Sequence, residues 1–241
     1  MTELSLVIPA YNEYDRIYRT LLEIDRTFSD PVVDYEIIVV DDGSRDNTFQ
    51  EVERAITENP RIRLIRQENG GKGSALKNGV THTNGRLVSF IDADLDIHPY
   101  QIHSYMEIMQ KTGADIVIGS KRHPESKVIY PWKRKLLSRC YQCLICVMFN
   151  LDVRDTQVGL KLFKREPIVR IMPKVLVKKY AFDLEVLVNA THLGYHIVEA
   201  PIDLHFARFE NRIGFRAIQD IFIDTLAVFY RLRILKYYDA H

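Results

Sequence analysis

Cysteine is scarce in this chain, charge of either sign is in no excess, and long hydrophobic runs are missing. Three cysteines occur in 241 residues, at Cys140, Cys143 and Cys146. Their spacing imitates an iron–sulfur or zinc signature, but such sites need a fourth ligand and a loop that wraps the metal. The surrounding stretch, residues 136–149, reads instead as an apolar helix. Lys and Arg number 33 against 32 Asp and Glu, a net charge of +1, which excludes a nucleic-acid binder attracted by bulk charge. No uncharged apolar run approaches the roughly 20 residues that a membrane helix requires. A strand pattern starts within a few residues of Met1 with no basic and apolar leader before it, so no signal peptide is expected. With 11 glycines and 9 prolines, none of them gathered into a linker, one domain is expected. These absences point to a cytoplasmic protein, with attachment to a membrane surface left open.

What the chain does have is a rhythm. Strand patterns at 4–8, 35–40, 62–66, 87–91 and 115–118 alternate with helical patterns at 13–27, 46–58, 72–82 and 99–111. Such βαβ alternation predicts an α/β fold built on a mostly parallel sheet with helices on both faces. Gly43-Ser44-Arg45-Asp46 supplies a turn and a helix cap, and Asn69-Gly70-Gly71-Lys72-Gly73 a flexible loop that opens a helix. After residue 120 the rhythm breaks. A basic stretch, an apolar helix near 134–149, a helix near 181–193 and a strand near 196–203 follow. The tail at 213–238 spaces Phe215, Ile218, Ile221, Phe222, Leu226, Phe229 and Leu232 as one amphipathic helix. The expected division is therefore 1–212 plus an extension at 213–241 belonging to the same unit.

Three acidic motifs stand where strands should end: Pro9-Ala10-Tyr11-Asn12-Glu13, Asp41-Asp42-Gly43-Ser44 and Asp92-Ala93-Asp94. In an open parallel sheet the carboxyl ends of the strands converge on one crevice. Carboxylates gathered there repel one another unless a hard cation joins them, and Mg²⁺ or Mn²⁺ normally completes its shell with substrate phosphates. The pattern predicts a metal-dependent site for a nucleotide diphosphate.

Together with Gly119-Ser120-Lys121-Arg122 and the stretch from Arg154 to Phe163, these motifs resemble glycosyltransferase family 2, inverting enzymes of the GT-A fold. Within it the chain looks most like the dolichyl- and polyprenyl-phosphate glucosyl- and mannosyltransferases, over roughly residues 4–212. The resemblance implies a nucleoside pocket lined by Pro9, Tyr11, Glu13 and Asp42, with Lys72 among the residues that bind the nucleotide sugar. Glu13 also reads as a helix-start carboxylate favoured by the macrodipole. Asp94 is implied as a ligand of Mn²⁺ or Mg²⁺, Asp92 as a contact to the ribose or the metal shell, and Asp96 as either a third ligand or a solvated loop residue.

Arg122, Arg134 and Ser138, with Lys121 and Lys133 nearby, match the positions that hold an acceptor phosphate, for which arginine is suited. Arg208 and Arg212 fall where relatives bring a basic residue over the donor diphosphate. A phosphate acceptor is already anionic near neutral pH, so Asp155, which stands where hydroxyl-glycosylating members carry a base, is expected to position acceptor or sugar, or else to act as a structural cap. Asp94, Asp155, Arg122 and Arg134 form the implied catalytic set. The implied reaction moves a hexose to dolichyl or polyprenyl phosphate. UDP-glucose is the preferred donor, with GDP-mannose and UDP-N-acetylglucosamine open. A glycan or glycolipid hydroxyl as acceptor, or a non-catalytic nucleotide-sugar-binding subunit, are the competing readings. A polyprenyl acceptor implies peripheral docking at the cytoplasmic face of a membrane through helix 134–149 and the C-terminal helix. Those same apolar stripes could instead pack on the sheet or form a homodimer interface.

Overall fold

The computed structural model describes residues 2–29, 33–128, 132–179, 181–204 and 215–240, without the side chains of 132–140, 215–218 and 240. The first half follows the predicted rhythm: β1 (Leu4–Ala10), α1 (Ile17–Ser29), β2 (Tyr35–Asp41), α2 (Thr48–Glu58), β3 (Ile62–Arg66), α3 (Lys72–Thr81), β4 (Leu87–Phe90), α4 (Gln101–Thr112) and β5 (Ile116–Ser120). Alternation along β1 decides what each face meets. Leu4, Leu6 and Ile8 point to a core completed by Ile17, Leu21 and Phe28 of α1, Val52 of α2 and Tyr105 of α4. Val7 points to the opposite core, with Leu76 and Val80 of α3. Removing each such aliphatic side chain from water contributes about 1.5–3 kcal/mol.

The second half contributes β6 (Lys127–Val128), α5 (Trp132–Phe149), β7 (Lys161–Lys164), α6 (Arg165–Ile171), α7 (Phe182–His192), β8 (Ile197–Pro201), β9 (Asp203–Leu204), α8 (Phe215–Arg233) and α9 (Tyr237–Ala240). The seven-stranded sheet runs β3-β2-β1-β4-β7-β5-β8, and β6 pairs with β9 apart from it. Every neighbouring pair is parallel except those made by β7, which runs antiparallel to both β4 and β5. Because Lys161 pairs with Phe90 at the carboxyl end of β4, the residues just before β7 are delivered to the crevice side.

Four details depart from the sequence reading. β7 and α6 are additional, since a four-residue Lys-Leu-Phe-Lys strand carries almost no periodic signal. The strand expected at 196–203 divides into β8 and β9, which join different sheets. The C-terminal helix stops at Arg233, and Lys236 takes φ 49° before α9 begins. The cap expected from Asp46 lies beside the helix start: Asn47 occupies the cap position, while Asp46 Oδ1 accepts the Thr48 N–H at 3.0 Å.

α7 buries nearly its whole circumference, from Phe182 through Leu184 to Ala190. A helix apolar all round needs cover on both sides. The sheet supplies one, and α8 and α9 supply the other through the buried Val228 and Tyr238. Among the described residues no helix is long and apolar enough to cross a membrane.

Candidate active site

The order β2-β1-β4 reverses direction at β1, and in open α/β sheets the crevice beyond the strand ends at such a switch point is where ligands bind. The loop after β1 turns through Asn12 at φ 55°, a left-handed conformation uncommon outside glycine. Side chains after β2 hold it there: Asn12 N–H donates to Ser44 Oγ at 3.0 Å and Glu13 N–H to Thr48 Oγ1 at 2.7 Å. Asp42 fixes the glycine loop. Its Oδ1 accepts Gly70 N–H at 2.8 Å and Gln67 Nε2 at 2.7 Å, and its Oδ2 accepts Gly71 N–H at 2.8 Å. The loop thereby sets the start of α3, where Lys72 points at the acidic turn after β4.

That turn, Asp92-Ala93-Asp94, is buttressed from α1 by Thr20 Oγ1, which donates to Ala93 O at 2.7 Å. It continues into Leu95 at φ 59°, the second left-handed non-glycine residue at the crevice. The Lys72 ammonium bonds Asp92 Oδ1. Burial opposes charge on both partners, yet each outweighs it for the other. The pKa of Asp92 falls below the ordinary carboxylate value, and that of Lys72, which also feels Asp183, rises above the lysine value. Asp94 behaves oppositely. Burial, and then the negative charge of Asp92, push its carboxyl up. Burial also raises Glu13, with the charge of Asp94 adding to it. The pair Asp94 and Glu13 thus faces the crevice with too little positive charge around it.

Two chambers meet at this turn. The larger, about 650 Å³, is lined by Pro9, Tyr11, Glu13, Asp42, Lys72, Asp92 and Asp94, joined by Asn69, Gln157, Lys179 and Asp183. The smaller, about 170 Å³, is lined by the apolar Ile97, Val158, Ile202 and Leu204 and by the polar Asp92, Asp94, Asp96, Lys121 and Gln157. Asp92, Asp94 and Gln157 line both. Asp96 therefore faces the smaller chamber, and its N–H donates to Asp94 Oδ1 at 3.1 Å. Among the described residues no three His, Cys, Asp or Glu side chains converge to hold a metal by themselves. Two carboxylates, one of them destabilised by its surroundings, suit a hard cation whose remaining ligands come from substrate phosphates.

Behind Lys121 and Gln157 of the smaller chamber, Asp155 is 4% exposed. Its Oδ2 accepts Lys121 N–H at 3.1 Å and pairs with the Lys121 ammonium at 3.3 Å, and its Oδ1 accepts Gln157 N–H at 3.0 Å. Arg122 lies outside the lining of both chambers, with Nη1 donating to Arg154 O at 2.7 Å. Arg134 and Ser138 sit on α5, with side chains outside the described residues, as is that of Lys133; Arg208 and Arg212 lie outside the described residues altogether.

Several contributors escaped the sequence reading. Lys161 is 1% exposed, with its ammonium bonded to Val158 O and to Asp183 Oδ1 at 2.7 Å. A lysine inside the apolar run Leu160–Phe163 was the available signal, since a buried lysine needs a partner. Gly159 permits the close approach of Asp92: a Cβ there would lie 2.0 Å from Asp92 Oδ2. Asp183 and Lys179 arrive from distant sequence and only the fold brings them in.

The sequence profile of glycosyl transferase family 2 matches residues 5–171, which hold both acidic strand ends and the Asp92–Asp94 turn. The chain belongs to that family. Among curated relatives it is 38% identical over 210 residues to a dolichyl-phosphate beta-glucosyltransferase of Trichomonas vaginalis, covering 83% of this chain and 65% of that one. A dolichyl-phosphate beta-glucosyltransferase of Dictyostelium discoideum is 32% identical over 214 residues, with the same coverage. This family member thus spans a little under two thirds of the length of the curated relatives it matches. Among solved structures, glucosyl-3-phosphoglycerate synthase from Mycobacterium tuberculosis superposes with a TM-score of 0.70 at 21% identity, over 95% of this chain and 79% of that one. Its complex with Mn²⁺, UDP-glucose and phosphoglyceric acid gives 0.69 at 20% identity. The mostly parallel sheet flanked by helices is therefore the GT-A architecture of that enzyme, as the sequence motifs implied.

Proposed function

We propose that this chain transfers glucose from UDP-glucose to dolichyl phosphate, by one inverting displacement, with Mn²⁺ or Mg²⁺ at the donor. The observation that carries the reading is the two-chambered crevice divided by Asp92 and Asp94. The larger chamber has room for a nucleotide. The smaller, lined by apolar side chains and by Lys121, suits a phosphate attached to a hydrocarbon. The relatives named as dolichyl-phosphate beta-glucosyltransferases, and the UDP-glucose and Mn²⁺ bound by the solved neighbour, support the choice of acceptor, sugar and ion.

Each side chain then has a task. Asp94, with Asp92, would hold the ion, which when bound supplies charge stabilisation to the departing diphosphate. Lys72 holds Asp92 ionised and in place. Asp42 keeps the glycine loop and α3 in register, and Glu13 and Tyr11 border the nucleoside. Asp155 fixes Lys121 at the smaller chamber. Its oxygens are already occupied by Lys121 and Gln157, which favours an acceptor that needs no base, such as a phosphate, over the hydroxyl acceptor in which Asp155 would take a proton.

Replacing Asp94 by Asn tests the assignment. We expect transfer to fall by about 100-fold or more, from the several kcal/mol such charge stabilisation supplies, together with loss of the Mn²⁺-dependent part of UDP binding measured by calorimetry. Unchanged turnover would overturn it.

A further inference from the structure

α8 carries two faces, and only one is used by the fold. Its inward side is fixed. Arg231 Nε donates to Glu185 Oε1 at 3.1 Å, the Tyr238 hydroxyl donates to the same oxygen, and Glu185 Oε2 accepts the N–H groups of Leu176 and Val177 at 2.8 and 2.6 Å. Glu185 is fully buried, so the helix is held in one rotational setting. In that setting Phe222, Ile223, Leu226 and Tyr230 stand 43–62% exposed along the outward face, and Ile234 and Leu235 extend the row at 62% and 55%. An exposed apolar row of this length marks an interaction surface.

We propose that this row is a docking face for an anionic lipid surface. The occupant follows from the rim. Lys178 and Lys179 are exposed on the loop that shares a small cavity with Asp224, Ala227 and Arg231 of α8, and Arg233 and Lys236 are exposed at its end. A second copy of the chain would bring like-charged rims together, whereas anionic head groups are attracted by each cation near the surface. The acids of this region are mostly paired. Asp239 pairs with His192 at 2.6 Å, and Asp224 accepts the Ala181 N–H; Asp220 is exposed at the end of the row remote from Arg233 and Lys236. An apolar stripe with cationic flanks lies in a membrane interface with its stripe buried.

The position of the face matters as well. Lys179 belongs both to the cavity beside α8 and to the lining of the larger chamber. α5 packs on α8 through Tyr141 and Thr225 hydroxyls 2.9 Å apart and through Phe149 against Phe229. A lipid surface on α8 therefore lies beside the loop whose Lys179 also lines the crevice. This inference rests on the proposed lipid-phosphate acceptor and adds the surface by which the protein reaches it.

Flotation with phosphatidylcholine vesicles, with and without phosphatidylserine and without any acceptor lipid, tests the surface apart from the chemistry. The intact chain is expected to bind the serine-containing vesicles at least about tenfold more tightly, because each of the four rim cations adds its own attraction to anionic head groups. Ile223→Ser with Leu226→Ser should abolish binding to both kinds, and Arg233→Ser with Lys236→Asn should weaken the preference for serine, to which Lys178 and Lys179 still contribute, without weakening binding to phosphatidylcholine alone. UDP affinity serves as the control for folding in both variants. Undiminished vesicle binding by the Ile223/Leu226 variant would overturn the proposal. So would a dimer that this variant converts to monomer without any vesicle binding by the parent, which would make the face a homodimer interface. Vesicle binding by the parent that is lost in the variant, combined with no transfer to dolichyl phosphate in detergent, would leave the surface standing and remove the proposed reaction instead.

Discussion

Asp92 can do what is asked of it only because residue 159 has no side chain. The carboxylate lies against Gly159 on one side and the Lys72 ammonium on the other, and an added Cβ at 2.0 Å from Oδ2 has nowhere to go except through it. Gly159→Ala is expected to displace Asp92 by an ångström or so and to lower turnover roughly 100-fold, the scale of loss that such a misplacement produces. Thermal unfolding should move by only a few degrees, because the strain falls on a side chain at the cleft surface. Steady-state kinetics beside a melting curve decide this, and wild-type turnover would show that Asp92 is not held as described. At this scale the sequence was informative wherever a functional side chain follows directly from a strand end. Asp42, Asp92 and Asp94 could be placed at the crevice because strand periodicity located their strands. Lys161 and Asp183 could not, because their pairing depends on β7 being inserted between β4 and β5, and four residues carry too little pattern to announce a strand.

Among the elements, α7 has the greatest reach. Its Glu185 joins the loop at 176–177, which leads to Lys178 and Lys179, to α8 and α9. Lys178 O in turn accepts Gly73 N–H at 2.9 Å, in the first turn of α3 behind Lys72. Burial, and then the charge of Glu185, raise the Tyr238 hydroxyl well above the usual tyrosine pKa, so it remains a donor throughout the accessible pH range. Removing one partner of such a buried pair leaves the other uncompensated. Glu185→Leu should therefore cost about 3–5 kcal/mol of unfolding free energy, and the double variant Glu185→Leu with Arg231→Met should recover only the part that belongs to the arginine, since the Leu176 and Val177 N–H groups stay unpaired. Denaturant unfolding measures both, and a single variant as stable as the parent would refute this role. The sequence presented the C-terminal helix as amphipathic but left open which face was used. A stripe of apolar residues reads alike whether it meets a core or a lipid. Here the helix carries both kinds of face, with Val228 and Thr225 buried inward and Phe222, Ile223 and Leu226 exposed outward.

For the molecule as a whole, the decisive feature is the strand order. Reversal at β1 opens the crevice, the antiparallel β7 returns the chain to it at residues 155–160, and the second core seats α8 beside the loop that carries Lys178 and Lys179. The βαβ alternation made the parallel half of this legible in advance. The β7 insertion and the split of β8 from β9 were not, because pairing with non-consecutive strands leaves no local trace in composition. The near balance of charge likewise conceals a local arrangement, with the carboxylates of the acidic motifs gathered in the crevice and Lys72, Lys121 and Lys179 set among them. Transfer of glucose from UDP-glucose to a lipid phosphate in this crevice is put to the test by incubating the protein with Mn²⁺, dolichyl phosphate and, separately, UDP-glucose, UDP-N-acetylglucosamine and GDP-mannose, and following glycosylated lipid by mass spectrometry. We expect a dolichyl-phosphate hexose from UDP-glucose, lost on chelation of the metal. Product from GDP-mannose alone, or glucose delivered only to a saccharide hydroxyl, would contradict it.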